Sequence, residues 1–235
     1  MAKGRRRSME HRAPVSRKYI LGLLDKVDTI PYGPRYRTGM SPEIQRLRNK
    51  ALISFLYLGA RRVSEVVGRE YPWRRHNDTS PLHPHSDKFD GVHLSDIRYD
   101  KLEGRSLMIV QCRILKKGSL KHGLLKKYGD VIIDMDDTPF STHTEDWIKY
   151  QRSVGEDKLF HLSRTGVYLI LQRIDSSIIG PHWFRHQRLS HLAENLSPYQ
   201  LTERVGYWES IEPAVSYVHG RVKDYLEACE KAREE

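Results

Sequence analysis

The sequence predicts an α+β domain, mainly helical with a small antiparallel β-sheet. Apolar residues recur at helical spacing along both the first quarter of the chain and its second half. One central region alone is rich in β-branched and aliphatic residues, split by a basic Lys-Gly-Ser turn. With 235 residues, 38% of them hydrophobic, the chain has enough apolar matter for one well-packed core and a small appendage. No internal repeat is evident.

In chain order, residues 1–41 read as a basic N-terminal arm with a short helix. Residues 1–17 hold Arg5, Arg6, Arg7, Arg12 and Arg17 with little that could enter a core, which predicts a disordered arm suited to tracking phosphates. Ile20, Leu23, Leu24 and Val27 have helical spacing, and Pro31, Gly33 and Pro34 mark a connector. Ser41-Pro42-Glu43 reads as a helix start, Ser41 capping and Pro42 in the first turn, followed by an apolar stripe ending near Gly59. A second helix over Arg62–Val67 follows at once. Tyr71–Gly91 is a Pro-, His-, Asp- and Ser-rich loop or insertion; its His83 and His85 lack the further ligands a metal site needs.

Leu107–Leu115 and Val131–Met135 are predicted strands of a hairpin whose connection, Lys116 to Gly123, is basic. Helices are predicted over Glu145–Ser153, Arg164–Ile174, His182–Ala193, Pro198–Val205, Glu212–Val218 and Lys223–Arg233. Residues 42–235 therefore read as one domain with a C-terminal tail helix.

The 40 Lys and Arg against 30 Asp and Glu give a formal net charge of +10, a field that draws polyanions and puts nucleic acid first among partners. Cys112 and Cys229 are too few for a disulfide framework or a Cys-based zinc site, which fits a reducing, intracellular setting. Neither a signal-peptide stretch nor a membrane-spanning run is present, so a cytoplasmic protein without membrane contact is expected.

Three segments carry the chemistry. In Gly59-Ala60-Arg61-Arg62-Val63-Ser64-Glu65-Val66, an arginine stands three residues ahead of a glutamate at a turn between helices. His182-Trp183-Phe184-Arg185-His186 places a histidine, an arginine and a second histidine on one helix. Near the end, Trp208 precedes Tyr217 by nine positions. Taken singly, each has an ordinary reading: a surface ion pair worth about 0.3–0.5 kcal/mol, a packed helix, an amphipathic rim tyrosine.

In this order, with a basic hairpin between the first two, the segments resemble the catalytic domain of the tyrosine recombinases and integrases over about residues 42–225. The resemblance implies a DNA strand-transfer enzyme acting on double-stranded DNA as a homo-oligomer, dimer or tetramer, with no cofactor and no metal. Tyr217 would be the nucleophile, forming a 3′-phosphotyrosyl bond that a 5′-hydroxyl from another strand can reverse without ATP. Arg62 and Arg185 are the candidates to clamp the non-bridging phosphate oxygens, through planar forks that lysine cannot copy. His182 would be the acid/base partner, needed because a phenol with an ordinary pKa near 10 must be activated. The family's hairpin lysine, which protonates the leaving 5′-oxygen, falls on Lys117, with Lys116 as the neighbouring alternative. Trp208 stands where many relatives have a second histidine; its indole N–H can donate to phosphate but cannot shuttle a proton. Glu65 is expected to orient Arg62 or a neighbouring backbone group, and His186 either packs the helix or takes an orienting role. The pair His182 and His186 also has zinc-ligand spacing, but Trp183 stands where a zinc protease needs Glu.

The sequence departs from the family in the doubled Arg61-Arg62, in the extra Tyr207 between Gly206 and Trp208, in the Tyr71–Gly91 insertion, and in the short stretch before Ser41 where relatives carry a DNA-clamping domain. Arg62 keeps the spacing to Glu65 and is preferred over Arg61. The tail Val222–Glu235 is an amphipathic helix candidate that docks either on a neighbouring protomer, as in the family, or within its own chain. The family chemistry is shared by type IB topoisomerases, which religate the same strand as monomers. A non-cleaving DNA-binding regulator on this fold is the rival of a different class.

Overall fold

The computed structural model describes residues 14–32, 39–68, 90–114, 128–178, 180–208 and 210–217. Most of the arm, the 71–89 stretch with His83 and His85, Lys116, Lys117 and the tail Val222–Glu235 lie outside the described residues. The chain forms two compact units, residues 1–188 and 189–235.

In the first unit, α1 (Arg17–Thr29) starts where the Ser16 hydroxyl accepts the Tyr19 N–H, and it buries the predicted Ile20, Leu23, Leu24 and Val27. α2 (Pro42–Gly59) has the predicted Ser41 cap, whose hydroxyl accepts the Ile44 N–H, and Pro42 in its first turn. Its C-terminal half is buried on every side, Ala51 through Gly59, so it is the central helix of the core and not a one-sided amphipathic one. α3 (Val63–Val67) follows after three residues.

The sheet has three antiparallel strands in the order β1 (Ile97–Leu102), β2 (Arg105–Arg113) and β3 (Tyr128–Asp134). β2 and β3 are the predicted hairpin, in register through Val110 and Val131. β1 is not among the predicted strands, because only Ile97 of its six residues is buried and the segment shows no alternation. It turns into β2 through Glu103 and Gly104, both at positive φ (51° and 81°), a two-residue geometry that matches strand twist.

α4 (Phe140–Ser153) starts five residues before the predicted Glu145, adding buried Phe140, Ser141 and Thr144. Trp147 stacks on Phe160 with rings 8° from parallel, and its indole N–H donates to the Leu159 carbonyl at 2.6 Å. α5 (Arg164–Ile174) has the predicted bounds and is capped by Ser163, whose hydroxyl accepts the Gly166 N–H. α6 spans His182–Leu192.

In the second unit the expected helix over 198–205 splits. A single turn, α7 (Pro198–Gln200), is capped by Ser197 and runs into a π-helical turn, Leu201–Gly206. Tyr207, the residue extra to the family pattern, closes that turn in the left-handed region at φ 49°. α8 (Glu212–Val215) stops short of the predicted Val218, and Tyr217 lies in the turn after it, its N–H on the Ala214 carbonyl at 3.0 Å. No helix among the described residues is long and apolar enough to cross a membrane.

Candidate active site

The first unit gathers candidate residues around the C-terminal end of α2. Ala60 takes a left-handed conformation there (φ 48°, ψ 33°), ending the helix and leaving its own buried carbonyl to accept from outside the helix. The Arg185 guanidinium, on α6, donates to that carbonyl through Nη1. Arg185 is 1% exposed, so this bond fixes one edge of a buried planar cation.

The doubled arginines separate into different environments. Arg61 is 2% exposed, donates through Nε to the Gly59 carbonyl at 3.2 Å, and bears on the buried Cys112 of β2, whose thiol burial pushes up to about 12. Arg62 sits at the start of α3 with its guanidinium partly open. Glu65, fully buried, accepts both from the Arg62 backbone N–H at 3.0 Å and from its Nη1 at 3.0 Å. One carboxylate thus caps the helix and holds the side chain of the residue that precedes it, the orienting role expected of it.

His182 opens α6 and, though exposed over the residue as a whole, has its ring packed against neighbouring atoms. The atoms packed round its ring lower its pKa to about 4, and the nearby His186, Arg185 and Arg62 add to that, with Glu65 opposing. These electrostatic contacts bring Arg62, Glu65, His182 and Arg185 into one neighbourhood. The His186 ring meets His182 edge-on, centroids 4.6 Å apart at 87°. At neutral pH His182 is therefore a neutral imidazole.

A pH effect on stability follows. The His182 pKa is lower in the folded chain than the ordinary 6.5, so between the two values the unfolded chain binds the proton more readily. Its contribution is complete above pH 6.5 and is lost as pH falls through about 4. Urea midpoints measured from about pH 7 to 4 are expected to fall more steeply for the wild type than for His182→Asn.

The second unit holds Trp208 and Tyr217 together, their rings 5.8 Å apart and 11° from parallel, with Tyr217 only 9% exposed. Gly206 makes this arrangement sterically possible. A Cβ there would lie 2.3 Å from Cε3 of Trp208 and 2.5 Å from two further ring atoms. Gly206→Ala is therefore expected to push the indole off Tyr217 and cost about 1–3 kcal/mol. A shifted tryptophan emission maximum together with a lower thermal midpoint would report it. Motif spacing did not single out Gly206, whose role depends on how Tyr207 folds the backbone back.

Among the described residues no group of three or more His, Cys, Asp or Glu side chains could hold a metal ion.

No protein-family model matches the sequence. Nor does any curated protein sequence match it. Solved structures do. The chain is similar to the XerH site-specific recombinase bound to difH substrate in a pre-cleavage complex, at 16% identity and a TM-score of 0.58, covering 92% of this chain and 53% of that one. It is similar also to XerH on palindromic difH in a post-cleavage complex, at 16% identity and TM-score 0.59, covering 99% and 56%. The XerA recombinase matches at 15% identity and TM-score 0.55, covering 99% and 66%. The fold is that of the tyrosine recombinases. The chain spans between about half and two thirds of the length of these proteins.

Proposed function

We propose that this chain is a site-specific DNA recombinase or integrase, of a mobile element or virus, that cleaves and rejoins duplex DNA through a 3′-phosphotyrosyl intermediate on Tyr217. The observation that carries this reading is the grouping of Arg62, His182 and Arg185 at the left-handed end of α2, on a fold shared with site-specific recombinases. Residues 42–235 act as the catalytic domain and residues 1–41 as a basic arm on the DNA.

Arg62 and Arg185 hold the non-bridging oxygens of the scissile phosphate, stabilising the charge that grows there in the transition state. His182, neutral before substrate arrives, takes the phenolic proton as the Tyr217 oxygen forms its bond to phosphorus. The bond from phosphorus to the 5′-oxygen breaks, and Lys117, or Lys116 beside it, protonates that oxygen as it leaves. Trp208 stacks on the nucleophile and offers its indole N–H to phosphate. The phosphotyrosyl bond keeps the energy of the original diester, so a 5′-hydroxyl from a second strand completes the exchange without cofactor. Dimers or tetramers bring the strands together on DNA in the cytoplasm.

The test is incubation with a pool of nicked suicide duplexes in EDTA, resolved on a denaturing gel. A covalent protein–DNA band is expected with the wild type and none with Tyr217→Phe. Binding without any covalent band would favour the non-cleaving regulator; religation confined to the original strand would favour the topoisomerase.

A further inference from the structure

A cavity of about 390 Å³ opens in the first unit between the end of α1, the start of α2 and α5, and none of its lining residues belongs to the candidate active site. Its walls are largely apolar, with Ile30, Leu162, Leu169 and Ile170 among them. Both the volume and the apolar lining fall in the range of small-ligand pockets, about 300–1,000 Å³. Into this lining is set Arg48, 4% exposed.

A guanidinium this deeply buried normally faces a carboxylate, because an uncompensated charge away from water is costly. Among the described residues Arg48 has none. Its Nε and Nη2 donate to the single amide oxygen of Asn49, at 3.2 and 3.1 Å, and its Nη1 meets only the Met40 sulfur at 3.7 Å. Asn49 is in turn fixed by its own amide, which donates to the Tyr32 hydroxyl at 2.9 Å, so the neighbours are arranged around the cation without neutralising it. No Asp or Glu is among the described residues lining the cavity, and Arg173 adds a second cation to the wall. Burial lowers the Arg48 pKa, as expected for a cation held without its counter-charge.

We infer that this cavity is a binding site for a small apolar monocarboxylate, whose carboxylate pairs with Arg48 and whose hydrocarbon or aromatic body fills the space lined by Ile30, Leu162, Leu169 and Ile170. A monoanion suits the single buried guanidinium, which donates to a carboxylate through two parallel N–H···O bonds; since Nε and Nη2 already share the Asn49 amide oxygen, the carboxylate is met through Nη1 and the second Nη2 proton. Inorganic phosphate has no apolar body to fill the space between Ile30, Leu162, Leu169 and Ile170.

The test uses the full chain and isothermal titration, with phenylacetate and 4-phenylbutyrate as probes, their amides as uncharged controls, and inorganic phosphate as an apolar-free anion. The carboxylates are expected to bind at least tenfold more tightly than the amides, and phosphate not measurably. Arg48→Gln is expected to lower carboxylate affinity at least tenfold while its unliganded thermal midpoint stays at or above that of the wild type, because an uncompensated buried charge has been removed. Leu169→Trp narrows the mouth from a position 55% exposed and keeps Arg48, so it decides the matter should Arg48→Gln fail to fold; it is expected to weaken binding by a similar factor. Equal binding of acid and amide, binding of phosphate as tight as that of the carboxylates, or unchanged carboxylate affinity in the folded variants would overturn the inference.

Discussion

On the proposed function, Arg185→Lys is expected to lower the rate of DNA strand cleavage by about 10²–10³-fold, the usual cost of losing one preorganised donor to a developing oxyanion. The reason lies in how Arg185 is held. One edge of its guanidinium is spent on the Ala60 carbonyl, inside a pocket that leaves the residue 1% exposed. A lysine has a single rotating ammonium, so it can serve the carbonyl or a phosphate oxygen but cannot present a fixed fork to both. Cleavage should therefore suffer much more than DNA affinity, which rests on many phosphate contacts. Single-turnover rates on a suicide duplex, with binding measured in parallel, separate the two. An Arg185→Lys enzyme that cleaves within a few-fold of the wild type would remove Arg185 from the clamp.

Gly91→Ala is expected to destabilise the protein by about 2–5 kcal/mol through overpacking and left-handed strain together. Gly91 sits at φ 91°, and a Cβ there would stand 2.5 Å from the Val66 carbonyl oxygen, 2.7 Å from the Val67 carbonyl carbon and 2.8 Å from the Gly68 nitrogen. All three are backbone atoms that no rotamer change can move. The neighbouring Val92 N–H donates to the same Val66 carbonyl at 2.9 Å, so this approach pins the last turn of α3. Since α3 carries Glu65 and follows directly on Arg62, the damage reaches the site: the thermal midpoint should drop by about 5–20 °C, with a fall in cleavage rate at temperatures where the variant is still folded. A Gly91→Ala chain as stable as the wild type would show that the loop does not approach α3 this closely.

Much of the fold was legible because it rests on local rules. Ser41-Pro42 and Ser163 mark helix starts by side-chain caps, and the bounds of α2 and α5 agree with the structure. The β2–β3 hairpin was readable from its β-branched and aliphatic residues, whereas β1 was hidden by its exposure and by a Glu-Gly turn that lacks the usual Asn or Asp. The start of α4 was missed because Pro139 precedes it and Phe140 enters the core without a conventional cap.

The candidate site was legible as residue types at set spacings, not as an arrangement. Spacing to Glu65 favoured Arg62 over Arg61; burial against the sheet is what separates them in space. The left-handed Ala60, whose carbonyl holds Arg185, carries no motif at all, and the splitting of the 198–206 segment into an α-turn and a π-turn comes from backbone geometry around Tyr207. Arg48 reads in sequence as one more polar position on a helix, and only burial reveals it as a cation without a described carboxylate.

The most direct measurement is mass spectrometry of the proteolysed adduct formed on a suicide duplex in EDTA. A nucleotide fragment joined through its 3′-phosphate to the peptide containing Tyr217 is the result this account predicts. A linkage through a 5′-phosphate, or attachment to any other residue, would contradict it.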